Sequence, residues 1–395
     1  MSASLAKLVM CRCDELGTVT EEPGCLTRTF ASPAMRRANK LVGSWMRKAG
    51  LQVREDAAFN LLGRWKSDRR GAKTFLLSSH LDTVRDAGKY DGPLGVLVAI
   101  AAAQSLRERG VRLPFNLEVV GFSDEEGVRY QTAYLGSRAF AGTLLGADLV
   151  RIEEKQIVKA RRNRNEFLGY AEVHIEQGPV LEEENLPVGV VTAIAGQSRL
   201  RVEFRGVAGH AGTVPMNLRH DALACAAEFV LSVEAGAKKQ SSLVATVGQI
   251  LATPGASNVI PAQVILTLDV RHQSNSRRLA AVRSLHAKAK AIAERRGLRV
   301  VWTSVQETAA VKCDKALTQI FSASVARQRL KVLKLPSGAG HEAAAISEIC
   351  PVAMLFVRCK GGVSHNPAES VKTGDVACSI FVLADFIQTL AKRYA

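Results

Sequence analysis

Aromatic side chains are scarce in this chain, at 5% of 395 positions. A protein that binds single-stranded nucleic acid needs stacking platforms, and few are on offer. Negative charge is short as well: 37 Asp+Glu stand against 53 Lys+Arg, a net charge of +16. That excess raises a nucleic-acid reading. Its densest cluster is only "KARRNRN", Lys159 to Asn165, and a basic surface that draws in small anions accounts for it without a nucleic acid. Long apolar runs are absent too. The longest, "VLVAIAAA" from Val96 to Ala103, falls far short of the ~20 residues that cross a bilayer, and Met1 to Leu16 is too polar for a signal-peptide core. None of the eight cysteines, at 11, 13, 25, 225, 313, 350, 359 and 378, forms a C-x-x-C pair. Free thiols in a reducing cytoplasm are expected, with no disulfide framework, no membrane and no nucleic-acid partner.

What is present suits a globular protein. Hydrophobic residues make up 47% and charged residues 23%, and the length suits two domains. Ser32 to Gly50 has helical spacing, and "LQVREDAAFNLLGRW" alternates like a strand. "TFLLSSH" reads as a strand, "DGPLGVLVAIAAAQSLRERG" as a loop into a helix, and "FNLEVVGFSDEEG" as a strand ending in acids. Strand, helix, strand in this order predicts a mainly parallel α/β sheet, whose ligands bind beyond the C-terminal strand ends. Near Gly196 the texture changes. "QSRLRVEFRG" alternates cleanly, a helix is expected over Asn217–Ala235, two more alternating stretches follow, and a second helix is expected from about Ser276 to Arg296. This block is expected to be an inserted α+β domain with an exposed sheet edge. The expected division is 1–195 and 311–395 for a split catalytic domain and 196–310 for the insert.

The strand ends carry the chemistry. "FLLSSHLDTV" aims His80 and Asp82 at one spot, and further polar ends offer Asp91, Glu125 with Glu126, His174 and His365. A lone strand-end histidine is more often a capping or solvent-facing group, and a lone glutamate pair a solvated face. Four such clusters, each after an apolar strand, point to a metal site. Imidazoles and carboxylates without cysteine suit zinc, manganese or similar ions. Adjacent glutamates at a strand end can point different ways, so one can bind metal while the other carries a proton.

"SSHLDTV", "DGPLGV", "FSDEEGVRY", "HIEQGPVLE", "GHAGTVPMNLR" and "SHNPAE" together resemble the M20-type metal amidohydrolases. The nearest branch is that of allantoate amidohydrolases, N-carbamoyl-L-amino-acid hydrolases and β-ureidopropionases. The resemblance runs from "LTRTFASPA" to the C-terminal helix, and "HIEQGP" separates this branch from the peptidases of the superfamily. It implies a di-metal hydrolase domain with an inserted lid and dimerisation domain. It implies metal ligands at His80, Asp91, Glu126, His174 and His365, with Asp91 bridging two divalent ions (manganese expected, zinc the alternative). Asp82 would orient His80, and Glu125 would be the general base. His210 would reach the partner subunit's site in a homodimer and stabilise the oxyanion. Gln177, Arg199, Asn258 and Arg271 would contact a small anionic ureido substrate, with the Arg271 guanidinium fork on its carboxylate.

Several stretches, among them "LTRTFASPAMRR" and "FSDEEGVRYQTAYLGS", look most like the allantoate branch. The implied reaction converts allantoate to ureidoglycine, ammonia and carbon dioxide, with N-carbamoyl amino acids as the alternative substrates. One position departs from the family: Glu342 in "SGAGHEAAA" stands where the family usually has aspartate. A catalytically dead scaffold would need a lost ligand or base, and none is lost.

Overall fold

The structure, a computed structural model, describes residues 2–395, with side chains from Ser4 onward. The chain divides into two compact units, Met1–Thr192 with Cys313–Ala395, and Ala193–Lys312. In chain order the strands are β1 (Gln52–Glu55), β2 (Leu61–Trp65), β3 (Thr74–His80), β4 (Asn116–Phe122), β5 (Phe167–Ile175), β6 (Val188–Ile194), β7 (Gly196–Arg205), β8 (Gly209–His210), β9 (Val244–Thr253), β10 (Val259–Ile260), β11 (Gln263–His272), β12 (Arg299–Thr308), β13 (Val311–Lys312), β14 (Lys334–Ser337) and β15 (Val352–Val357).

The first unit is built on a mixed sheet whose order runs β1-β2-β4-β3-β5-β15-β6. Its central pairs, β4·β3, β3·β5 and β5·β15, are parallel. The flanking pairs β1·β2, β2·β4 and β15·β6 are antiparallel. β3 and β4 are buried at every residue, Glu118 of β4 included: a strand covered on both faces has no solvent side. Helix Pro93–Glu108 connects them. Pro93 suits the first helical turn, where a missing N–H costs nothing. Phe75 of β3 packs against Phe115 and Phe386, with ring centroids 6.1 and 5.8 Å away. Truncating such a ring to alanine costs ~3–5 kcal/mol. The C-terminal helix Thr373–Tyr394 is long and apolar enough to cross a membrane, but 61% of its most apolar window is buried. Phe386 stacks on Phe321 at 4.1 Å, so the apolar face serves the core.

The stretch "LQVREDAAFNLLGRW" is two strands rather than one. Asp56 breaks it: its Oδ1 accepts the N–H groups of Ala58 and Asn60 at 2.9 and 3.0 Å, turning the chain so that β1 and β2 pair antiparallel.

The second unit carries a four-stranded antiparallel sheet, ordered β12-β7-β11-β9. Leu200, Val202 and Phe204 of β7 are buried with Leu266 and Leu268 of β11, beneath helices Ala222–Lys238 and Asn275–Arg295. The first helix starts later than Asn217. Met216–Leu218 forms a separate short turn, and Asp221 caps the true helix by accepting from Leu223 and Ala224. β9 is an edge strand that exposes Val244, Ile250 and Leu251.

Candidate metal centre

The ladder aligns the strand ends. His80 lies opposite Phe122 across β3·β4, and His174 opposite Phe356 across β5·β15. All four strands run parallel, so His80, the turn after Phe122, His174 and the loop after β15 meet at the C-terminal edge. The structure gathers seven expected site residues of the first unit there, His80, Asp82, Asp91, Glu125, Glu126, His174 and His365, and Gln177 joins them through Asp91.

Two groups share Asp91. His174 Nε2 lies 3.1 Å and His80 Nε2 3.9 Å from Asp91 Oδ1, and the two imidazole Nε2 atoms are 3.4 Å apart. His365 Nε2 lies 3.3 Å from Asp91 Oδ2 and 3.4 Å from Glu126 Oε1. Donors ~2.1 Å from one tetrahedral ion stand ~3.4 Å from each other, so both groups have the spacing of ligands around a shared cation. Asp91 turns one oxygen to each group. The donor atoms of His80, Glu125 and Glu126 also lie within 4.8 Å of one another.

Burial makes the charge in this space costly. It pushes Glu125 well above the ordinary carboxylate range, helped by Glu126, Glu342 and Asp82 and opposed by His80. It raises Glu126 to about 8, with Asp91 and Asp82 adding to the rise against His80 and His174. Burial alone would lower His174, but its bond to Asp91 outweighs this and raises it. Asp91 moves the other way: burial opposes ionisation, while His174, His80 and Ser364 hold it below the usual range. Crowded, desolvated carboxylates with two imidazoles are what divalent cations relieve. Donor type, spacing and charge all fit such ions.

Several residues hold the ligands in place. Asp82 accepts the N–H of Glu125 on Oδ1 at 3.0 Å and of Glu126 on Oδ2 at 3.1 Å, and its Oδ1 lies 3.4 Å from His80 Nδ1. One carboxylate thus fixes both glutamates and orients the imidazole. Gly92, at φ +82°, faces the His80 ring so closely that a Cβ would stand 2.3 Å from Cε1. The signal for these was in the motifs. Two further supports leave no such signal. Arg28 is fully buried, and its guanidinium donates to the carbonyls of Leu81 at 2.6 Å, Leu16 at 3.1 Å and Val19 at 3.0 Å. Leu81 separates His80 from Asp82. Glu369 lies in the quoted "SHNPAE", yet its partners are main-chain N–H groups far away in sequence, which no motif spacing reveals.

Gln177 donates from Nε2 to Asp91 Oδ2 at 2.9 Å and to Ser364 Oγ at 3.1 Å. Gln177 and His365 both hold φ +56°, a left-handed conformation that costs a residue with a Cβ ~1–2 kcal/mol. Strain of this kind clusters at working sites.

The second unit places its expected residues in two pairs. Arg199 and Asp269 are cross-strand partners, and Arg271 donates to Asp269 from Nε and Nη2, both at 3.0 Å. Gln197 joins the same carboxylate at 2.6 Å. His210 pairs with Val259 between β8 and β10, and the Asn258 carbonyl accepts from Ala211 N–H at 2.9 Å. His210 is exposed.

Glu342 is fully buried on the short helix Glu342–Ile346. Its Oε2 accepts from the Ser137 hydroxyl, a contact that uses the longer arm. Burial drives its carboxyl well above the ordinary range. His341 beside it sits edge-on to His174, ring centroids 4.6 Å apart, and pairs with Ser337 Oγ at 2.7 Å. Burial lowers its imidazole well below the ordinary value, aided by His174.

Comparison with known proteins agrees with this geometry. The profile of the peptidase family M20/M25/M40 matches residues 76–389. Allantoate deiminase 2 of Glycine max is 40% identical, with 95% of this chain and 88% of that protein aligned. N-carbamoyl-L-amino acid amidohydrolase of Geobacillus stearothermophilus is also 40% identical, over 96% of this chain and 97% of that one. An amidase of the hydantoinase/carbamoylase family from Burkholderia multivorans superposes with a TM-score of 0.92 at 28% identity, covering 98% of both chains.

Proposed function

The chain belongs to the peptidase family M20/M25/M40, and from that premise we propose that it is a metal-dependent amidohydrolase of ureido C–N bonds acting on allantoate. The observation that carries the reading is Asp91, whose two oxygens face two separate donor groups. His80, Asp91 and His174 would hold one divalent cation, and Asp91, Glu126 and His365 a second. Manganese is the expected metal and zinc the alternative. Bound there, the ions would supply Lewis-acid polarisation of the ureido carbonyl and acidify a water.

The protein's own residues do the rest. Glu125 stands beside Glu126 but on the other side of the turn's division of labour: it takes the proton of the attacking water and hands it to the departing nitrogen. Water adds to the ureido carbonyl, one C–N bond breaks, and the carbamate decomposes. One water is consumed, and ammonia, carbon dioxide and an amine remain. Gln177 and Asn258 bind the polar remainder, since amides donate and accept. Arg271, held in a fork by Asp269, grips the substrate carboxylate with Arg199 beside it. Residues 196–310 serve as lid and dimerisation domain, and His210 supplies an oxyanion donor to the partner subunit's site in a cytoplasmic homodimer.

An N-carbamoyl-L-amino acid is the second reading, favoured by the Geobacillus stearothermophilus relative at the same 40% identity. Ammonia release by the manganese-loaded protein, with allantoate set beside N-carbamoyl-L-amino acids, N-carbamoyl-β-alanine and a dipeptide, separates them. Preference for allantoate is expected. Preference for a carbamoyl amino acid moves the substrate and keeps the chemistry, and turnover of the dipeptide alone refutes both. A His210→Ala protein with full activity refutes the oxyanion role.

A further inference from the structure

Glu369 accounts for a cluster of bonds that the proposed chemistry does not use. It is 5% exposed. Its Oε2 accepts the N–H groups of Tyr90 at 3.1 Å and Asp91 at 3.2 Å, and its Oε1 accepts that of His365 at 3.1 Å and the Ser364 hydroxyl at 3.4 Å. One carboxylate therefore ties the loop bearing Asp91 to the loop bearing His365, across 278 residues of sequence. The three main-chain N–H groups can only donate and are shared between the two oxygens, so both oxygens are needed as acceptors; the single proton of the Ser364 hydroxyl is nearer Asp91 Oδ2. Gly88 makes room: a Cβ there would stand 2.2 Å from Glu369 Oε2. His365 holds its left-handed φ of +56° with its N–H bonded to this carboxylate.

The two donor groups differ in how they are supported. His80 and His174 sit on β3 and β5, where the ladder fixes them. Asp91, Glu126 and His365 all lie on loops. The first group keeps two anchored imidazoles without Glu369, whereas the second depends on it for two of three members.

We propose that Glu369 is a positioning residue that assembles the Asp91–Glu126–His365 cation site by clamping the main chain of two of its ligands. The inference rests on the two-cation reading above. It predicts that Glu369→Gln loses that cation selectively. A glutamine offers one acceptor oxygen, and its NH2 must face N–H donors at one end of the clamp.

The test counts manganese per chain by mass spectrometry after dialysis against a graded chelator, for the wild type, E369Q and G88A. Wild type is expected to hold two ions. E369Q is expected to hold one tightly, with affinity for the other down at least ~10-fold, the range seen when groups that orient metal ligands are removed. G88A, which displaces the Glu369 carboxylate without changing it, is expected to show the same loss. Thermal unfolding in chelator checks that both variants fold without metal; should E369Q fail to fold, G88A decides. Wild type holding fewer than two ions overturns the two-cation reading and this inference with it. Wild type holding two, with the folded variants holding two as tightly, overturns this inference alone.

Discussion

Replacing Arg28 with methionine tests whether the turn bearing His80 and Asp82 is held from beneath. The guanidinium is fully buried and, among the described residues, bonded only to main-chain carbonyls of Leu81, Leu16 and Val19. Among the described residues its side chain has no carboxylate partner at hydrogen-bond distance, although the charge of Asp82 acts on it. Burial pulls the group down to about 10, with Asp82 and Glu21 opposing, so it remains charged at neutral pH. Methionine keeps the stem's volume and leaves the Leu81 and Val19 carbonyls without this donor, while the Leu16 carbonyl still accepts the Val19 N–H at 3.1 Å. An orphaned buried acceptor costs ~1–3 kcal/mol. Two acceptors are orphaned and a third loses one of its two donors, so ~3–5 kcal/mol is expected for the whole. For a unit of this size each kcal/mol moves the melting point by ~2 °C. Arg28→Met should therefore melt ~6–10 °C lower in calorimetry on metal-free protein. Arg28→Lys should recover less than half, because a point charge cannot span the fork's three acceptors. A methionine variant melting within ~1 °C of wild type would refute the claim that this arginine supports the turn.

Three further outcomes follow from the site. Glu125→Gln should keep its metal content while turnover falls by at least ~100-fold; loss of metal instead would show that the two glutamates are exchanged in role. Glu342→Gln should leave the melting point within ~2 °C of wild type, since burial already favours the neutral carboxyl, while Glu342→Asp should cost ~1 kcal/mol through the lost methylene and the lost reach to Ser137. Asp269 is held below its ordinary value, burial opposing and Arg271, Gln197 and Arg199 prevailing. Its stabilisation is present above pH ~4 and is lost as pH falls through the depressed folded value. Asp269→Asn should therefore flatten the acid limb of a urea-unfolding pH series; an unchanged limb would refute this.

Of the candidate metal ligands, His80, His174 and Glu126 were legible because each stands where an apolar strand gives way to polar residues, a pattern that period and composition both report, whereas Asp91 and His365 lie farther out on loops and were legible through their motifs. Asp82 was legible through its neighbour His80. The helix expected from Asn217 starts at Ala222 because Asp221 outcompetes the propensity of the residues before it. Glu369 and Arg28 were hidden for one reason: both act on main-chain atoms, which carry no residue identity for a pattern to detect. The Ser137–Glu342 contact joins residues 205 apart, so the glutamate was readable as a departure and its partner was not.

The sheet order carries a consequence for synthesis on the ribosome. β15 lies between β5 and β6, yet it leaves the tunnel long after both. Nearly 180 residues separate the end of β5 from the start of β15, and at ~5–20 residues per second this is a delay of ~10–35 s. Throughout it β5, apolar and destined for complete burial along most of its length, presents an unpaired edge of the kind that recruits other chains. The nascent protein must therefore be shielded for that interval, and yield in expression should respond to holding chaperones and to translation speed between codons 176 and 351 more than anywhere else in the message.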